Sequence, residues 1–536
     1  MATGGRVTEW CDGTAFHQIY VGVGTGRGFV FMAGDQAVLD AESDSEASSS
    51  APAFRYVDLF AGIGGFHAAL KALGGQCVYV SEIDDRARRV YELNWGADLG
   101  AAGSIPDVLR GDINVDAPQD GGTVAVPEHD VLAAGFPCQS FSKSGAQRGV
   151  RDKTRGTLFF NILRILETRR PKIVFLENVR NLAGPRHADT WQTIIESLES
   201  LGYEVASAPM VVSPHFLPPE VGGAPQVRER VYILGIHRGA HRVPSAEVDP
   251  TFVRGPVAGW DPQLWDLEAT PLPWLGGRPL LQPDAEIEDV ERYRLTAAEV
   301  RWIDAWDNLV VRMRRAGAPL PGHPLWADHF VLPSTLEEDD LAQLPDWKAD
   351  FIRKNAAFYA KNRAIIEAWR ADPAMGDFEL FPESRRKFEW QAQEAATLWD
   401  CIMHLRPSGI RAKRATYVPA LVAITQTSII GKRRRRITPI EAARLQGLPD
   451  TFSFGDQPEA ETYKQLGNGV NAGAVHYAVR RFVERYADDL RPVLPGLVEA
   501  VVGADASTWP VIVPAPRVEV PEDALDLGET LAIVGC

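Results

Sequence analysis

A thiol, a carboxylate and two guanidinium groups stand out because each closes or alternates within a short apolar run. Cys138 sits in Gly135-Phe136-Pro137-Cys138-Gln139-Ser140, directly after His129-Asp130-Val131-Leu132-Ala133-Ala134. That apolar run predicts a short buried strand, and Gly135 and Pro137 break it and hold the thiol at its carboxyl end. Open α/β sheets bind ligands along that edge. A thiol held there is a candidate nucleophile, although free cysteine is also among the most buried residue types. Glu177 follows a second run, Pro171-Lys172-Ile173-Val174-Phe175-Leu176, so a parallel sheet brings Cys138 and Glu177 to one rim. A part-buried carboxyl there can keep a proton or share one with a base ring. In Gln226-Val227-Arg228-Glu229-Arg230 the alternation puts Gln226, Arg228 and Arg230 on one face. Two arginines beside a thiol and a carboxyl suit a polar, anion-linked substrate; their structural alternative is pairing with acids such as Glu220 or Glu229.

These groups need an α/β frame, and the chain supplies one. Arg55 to Phe60 reads as a strand, Ala61-Gly62-Ile63-Gly64-Gly65 as a tight turn, Phe66 to Leu73 as a helix and Gln76 to Ser81 as a second strand. The glycines admit close backbone approach, and the helix amino terminus faces the ligand. Glu82 lies where an adenosine-binding fold places its ribose-diol acid. The turn is not GxGxxG, so a nucleoside cofactor without phosphates fits better than a dinucleotide. Gly111-Asp112-Ile113 ends a further strand, where an acid can accept from an adenine amino group. Helices are expected over Asp84 to Asn94, Thr157 to Thr168 and Thr190 to Leu201, with a mobile polar loop over 139–156.

The α/β rhythm stops near His237. Residues 237–290 are rich in Pro, Gly and Trp, and 291–316 and 344–372 read as helical, with most of their aromatics expected in a core. Thr438, Pro439 and Glu441 form a capping box that opens a helix, and α/β character returns through about Arg485. The expected domains are an arm and acidic linker (1–53), a first catalytic part (54–236), an inserted domain (237–430), a second catalytic part (431–490) and an acidic Pro-rich tail (491–536). Gln18 to Val23 alternates as in a small hairpin.

Bulk composition narrows the class. The chain has 536 residues, 45% hydrophobic and 24% charged, with neither a signal pattern nor a membrane-length apolar run, so a cytoplasmic protein is expected. Five scattered cysteines form no CxxC pair, which points away from disulfides and bound metal. A net charge of −15 argues against a nucleic-acid partner, but nine basic and no acidic residues lie between Arg406 and Arg436. Such a strip suits phosphate contacts or a solvated loop. If the strip meets phosphates, neutralising Arg433 to Arg436 is expected to weaken nucleic-acid binding uniformly and to flatten its salt dependence.

Taken in order, eight blocks resemble the DNA (cytosine-5) methyltransferases. They are Asp58 to Phe66, Glu82-Ile83-Asp84, Gly111-Asp112-Ile113, Gly135 to Gln139, Glu177-Asn178-Val179, Gln226 to Arg230, Arg444-Leu445-Gln446-Gly447 and Gly467-Asn468-Gly469-Val470. The resemblance implies a Rossmann-like α/β methyltransferase sheet with a large inserted target-recognition domain. It implies S-adenosyl-L-methionine as donor and duplex DNA as partner, with cytosine flipped from the helix. By that resemblance Phe60, Ala61, Gly62, Gly64, Gly65, Glu82, Ile83, Asp112, Ile113 and Asn468 line the cofactor site. Cys138 is the nucleophile, Glu177 holds the ring N3 and amino edge, and Arg230 with Arg228 contacts O2 and phosphate. Ile83 stands where many members carry an aromatic against the adenine. A restriction or other defence partner, and association with the nucleoid, fit the same family. The rivals are an RNA cytosine methyltransferase of the same fold, a non-catalytic DNA-binding protein and, more remotely, an NAD oxidoreductase.

Overall fold

The computed structural model describes residues 51–137, 158–206, 208–239, 255–421 and 427–503, together with the backbone of Tyr20–Gly24 and Arg27–Phe31. Those two short strands pair as an antiparallel hairpin within a unit formed by Met1–Ala51 and Pro514–Cys536. The expected hairpin is therefore present. Everything below concerns the second unit, Pro52–Val513.

Its main sheet has eight strands: β1 (Phe54–Leu59), β2 (Gly75–Ser81), β3 (Leu109–Arg110), β4 (Val131–Ala134), β5 (Ile173–Val179), β6 (Tyr203–Val205), β7 (Met210–Val212) and β8 (Arg230–His237). The order is β3-β2-β1-β4-β5-β8-β6, with β7 also pairing β8. Strands β1 to β5 run parallel, whereas β8 is antiparallel to β5, β6 and β7. The chain leaves β1 outward on one side and β4 outward on the other, so the switch point falls between their carboxyl ends. Alternate residues serve opposite cores. Tyr56, Val131, Phe175 and Tyr232 pack under helices α1 (Gly65–Lys71) and α2 (Asp85–Ala102). Val57, Leu132, Val174 and Val231 pack under α3 (Phe159–Arg169) and α4 (Ala188–Ser200). Both faces are buried, which is why these strands read as continuous apolar runs.

The inserted region builds its own core around Trp306, Leu309 and Met313 of α5 (Ala297–Arg315), Phe358 of α6 (Asp346–Lys361) and Trp369 of α7 (Arg363–Arg370). It packs on a six-stranded sheet of β9 (Leu325–Trp326), β10 (Lys387–Gln391), β11 (Cys401–Arg406), β12 (Gly409–Arg414), β13 (Ile429–Ile430) and β14 (Arg435–Arg436), ordered β9-β10-β12-β11-β13-β14. Trp347 is the exception among the expected core aromatics, at 60% exposed. Trp265, Trp274, Leu280 and Leu281 belong instead to the first core, so 255–286 pack with the catalytic part and the second core opens near Leu295.

The chain then returns. Thr438 caps α8 (Pro439–Leu445) with both capping-box bonds to Glu441 formed, and α9 (Glu459–Asn468) and α10 (Ala472–Arg485) follow. The tail expected from 491 onward is corrected in its first part. Pro495 opens α11 (Pro495–Val502), whose Leu497, Val498 and Val501 are buried in the first core.

At the amino end of α10 two backbones touch. A Cβ on Gly473 would lie 1.9 Å from the Gly222 carbonyl oxygen, and Gly222 is left-handed at φ +92°. Gly473→Ala is expected to cost about 1–3 kcal/mol by overpacking. A lower urea midpoint at unchanged m-value checks it; an unshifted midpoint would mean the backbones are not in contact.

Candidate functional site

The loop after β1 forms one side of the switch point. Phe60 takes a left-handed φ of +57°, rare for an aromatic residue and a sign of local strain. Gly62 is also left-handed, and a Cβ there would meet no heavy atom within 4 Å, so the turn faces open space. Gly64 and Gly65 are hemmed in: a Cβ would reach Trp95 Nε1 at 2.2 Å from Gly64, or the Val470 carbonyl at 2.6 Å from Gly65. Trp95 Nε1 donates to the Ile63 carbonyl at 3.1 Å and pins the turn from below. No sequence pattern marked Trp95, which lies in the middle of α2.

Glu82 closes the cradle. Its carboxylate accepts from Gly62 N and Asp84 N, each at 2.8 Å, tying the ends of β1 and β2 together. Each oxygen keeps a lone pair for a diol. Ile83 beside it is 71% exposed. Asp112 is exposed, and its Oδ1 caps a short helix at Asn114 N (2.9 Å), while the Ile113 side chain turns into the core. Asn468 is exposed near the end of α9. A glycine turn over open space, a partly solvated acid and an exposed aliphatic side chain fit a nucleoside. Beneath them Asp58 is fully buried; burial, and then the nearby Glu82, push its carboxyl well above the usual range.

The other side of the switch point carries Glu177. Cys138 and the loop 139–156 lie outside the described residues, but the approach to the thiol is described. Ala134 pairs with Leu176 in parallel register, and Gly135 and Glu177 follow. A Cβ on Gly135 would lie 3.7 Å from Glu177 Oε2. Asn178 Nδ2 donates to the Phe136 carbonyl at 2.8 Å, fixing the first residues of the loop to the end of β5.

Glu177 is buried, with Arg230 Nε 3.0 Å from its Oε1. Oε1 still lacks an aligned hydrogen bond among the described residues, so the contact is chiefly one of charge. Burial pushes the Glu177 pKa up, and Arg230 and then Arg228 pull against it.

Arg228 departs from the expected contact with a base. It is 1% exposed, and its guanidinium donates to the carbonyls of Leu421 (3.2 Å), Gly467 (3.0 Å) and Gly469. Burial, then the neighbouring Arg230, push its pKa down to about 9, which leaves it charged at neutral pH. Gln226, on the two-residue strand Gln226–Val227 just before it, is fully buried and pairs in register with Val418.

The run Arg433 to Arg436 is corrected. Arg435 is fully buried, donating to both oxygens of the equally buried Glu441 (2.9 and 2.8 Å) and to Asp284 (2.9 Å). Arg433 pairs with Glu268 at 3.0 Å and Arg436 with Glu299 at 2.5 Å. Arg434 stacks on Trp399 at 4.1 Å. Three of the four are paired with acids of this chain, fully buried at Arg435 and part-exposed at Arg433 and Arg436.

An open sheet with a glycine turn on one side of its switch point and a buried acid on the other is a Rossmann-like methyltransferase fold. The family model for C-5 cytosine-specific DNA methylases matches residues 54–307 and 333–484. The chain belongs to that family and is a DNA (cytosine-5) methyltransferase. It is 44% identical over 493 residues to the type II methyltransferase M.AluI of Cellulosimicrobium cellulans, covering 81% of this chain and 92% of that one. It is 29% identical over 453 residues to the type II methylase M.HgiEI of Herpetosiphon aurantiacus, covering 78% and 94%. The match to M.HpaII of Haemophilus parainfluenzae is 42% over 187 residues, or 34% and 46% of the two chains.

Removing one member of a buried pair leaves a charge without its partner. Arg435→Ala is therefore expected to cost about 3–5 kcal/mol. Urea denaturation checks the cost, and a stability near wild type would show that Arg435 is not buried against Glu441.

Proposed function

We propose that this enzyme methylates carbon 5 of cytosine within a specific duplex DNA sequence, through Cys138 and a base flipped out of the helix. The observation that carries the reading is the buried Glu177 carboxyl held by Arg230 beside Gly135, three residues before the thiol.

The cofactor cradle fits S-adenosyl-L-methionine, with Phe60 to Gly65, Glu82, Ile83, Asp112, Ile113 and Asn468 holding it. Its sulfonium supplies an electrophilic methyl group. The chain must make carbon 5 nucleophilic. The Cys138 thiolate forms a bond to carbon 6, and the ring electrons move toward N3, where Glu177 donates a proton. Carbon 5 of the resulting enamine can then take a methyl group. Loss of the carbon 5 proton and departure of the thiolate restore the ring, and the N3 proton returns to Glu177. Arg230 holds Glu177 and contacts the base O2, with Arg228 supporting the strand from behind. Base extrusion costs a few kcal/mol, which DNA contacts offset. The type II naming of the relatives supports a role in restriction–modification beside a nuclease.

A carboxyl raised by burial keeps its proton to higher pH, so the rate falls only as pH climbs through the Glu177 pKa. The kcat profile is therefore expected to rise as Cys138 ionises and to fall as Glu177 loses its proton. Glu177→Gln should lower kcat by about 10²–10⁴-fold and abolish the falling limb; an unchanged limb would assign it elsewhere. Cys138→Ala is expected to abolish methyl transfer while duplex binding persists, and near-normal turnover would remove the covalent route. Competition between duplex DNA and tRNA for tritiated methyl tests the substrate, since label in tRNA alone would end the DNA reading.

A further inference from the structure

The sheet of the inserted region has two unlike faces. Phe388, Trp390, Met403, Ile410 and Ala412 pack into its core. Strand alternation sends His404, Arg406, Arg411 and Lys413 to the opposite face, where His404 pairs in register with Arg411 and Ile402 with Lys413. One carboxylate, Glu389, answers them, accepting from Arg411 Nε at 2.7 Å. Arg406 and Lys413 have no carboxylate partner within ion-pair distance among the described residues; burial and then Arg411 lower the proton affinity of both, and Arg406 lowers that of Lys413 further. His404 is buried against Ser428 Oγ at 2.8 Å; burial first, then these cations, push its pKa down to about 3. The contrast with Arg433, Arg435 and Arg436 is sharp, because those arginines already have acids.

This face runs into the active site. Lys413 lies 5.0 Å over the Tyr417 ring, and Val418 pairs with Gln226. Four residues separate Lys413 from Val418, at most about 18 Å of chain over five steps. Leu421 then accepts from Arg228, two residues before Arg230. On the other flank Tyr417 packs against His215, whose Nδ1 meets Ser213 Oγ at 2.9 Å, and that hydroxyl accepts from Arg228 N.

We propose that this face takes the duplex, with Arg406 and Lys413 on phosphates and Arg411, steadied by Glu389, reading a base edge. The proposal rests on the chain acting on duplex DNA. Unpaired cations held together favour an anion, and duplex DNA offers one phosphate charge about every 1.7 Å of axis. With Nε spent on Glu389, Arg411 keeps both Nη groups, the donors that span guanine O6 and N7.

The test uses full-length protein and two readouts that do not share a step. Equilibrium binding to a random-sequence duplex is measured across salt concentrations, without methyl transfer. Arg406→Ala and Lys413→Ala are each expected to lower the slope of log K against log salt by about 1, with Arg434→Ala as a comparison outside this face. Bisulfite sequencing of plasmid DNA then reads the methylated motif. Arg411→Ala and Glu389→Gln are expected to relax one position by roughly ten- to a hundredfold, leaving random-duplex binding within about twofold. Unchanged slopes in both Arg406→Ala and Lys413→Ala overturn the surface, and an unrelaxed motif in Arg411→Ala overturns the base reading. If the wild type binds duplex but transfers no methyl group, the catalytic reading fails while the surface survives.

Discussion

One buried cation joins three distant pieces of this enzyme. The Arg228 guanidinium reaches Leu421, Gly467 and Gly469 across 193, 239 and 241 residues of sequence. A charge-assisted hydrogen bond contributes about 1.5–3 kcal/mol, and an orphaned buried carbonyl costs a comparable amount. The exit of the inserted region, the loop around Asn468 and the strand leading to Arg230 are thus set by one side chain. An apolar residue of similar size could fill the volume, but it would leave all three carbonyls unmet.

The overall acidity of the chain is a poor guide to its partner, because part of it is internal. Asp284, Glu299 and Glu441 meet arginines at the junction between the two cores, and those arginines hold the Asp284 and Glu299 carboxyls below the usual carboxylate range. What a polyanion meets is the local field of charges left unpaired, not the sum over the chain. That field concentrates where strands alternate, as on β11 and β12, and vanishes where arginines cluster in sequence but find acids in space.

Such pairing explains which parts of the molecule were legible in the sequence. Strands β1, β2, β4 and β5 showed as short apolar runs closed by Gly, Pro or an acid, and the Thr438 capping box was local and formed as read. The partners of Arg433, Arg435 and Arg436 were not legible. Glu299 lies 137 residues from Arg436, and nothing in either stretch names the other. The same holds for β10 and β12, a parallel pair drawn from segments more than twenty residues apart. The tail was misread for a different reason. Proline and acids suggested a peripheral tail, yet Pro495 occupies the first turn of a helix, where its missing N–H costs nothing. Arg228 was expected on the substrate and instead holds backbone carbonyls, because alternation fixes only a face, not whether that face meets a ligand or the protein's own backbone.

The candidate site is nonlocal for a physical reason. Its groups come from the ends of β1, β2, β3, β4 and β5, from the start of β8 and the segment before it, and from the end of α9. On the proposed mechanism a ring held between a nucleophile and a methyl donor must be approached from both sides. The switch point provides this, because chains diverge there and leave a crevice that neither half of the sheet can close. Gly135 marks the join: a Cβ on it would lie 3.4 Å from Phe66, 3.7 Å from Glu177 and 3.7 Å from Val470. One backbone position thus borders helix α1, the acid and the returning segment at once. The space its missing side chain leaves would take a methyl group without a clash, so glycine here keeps open a gap that alanine would fill.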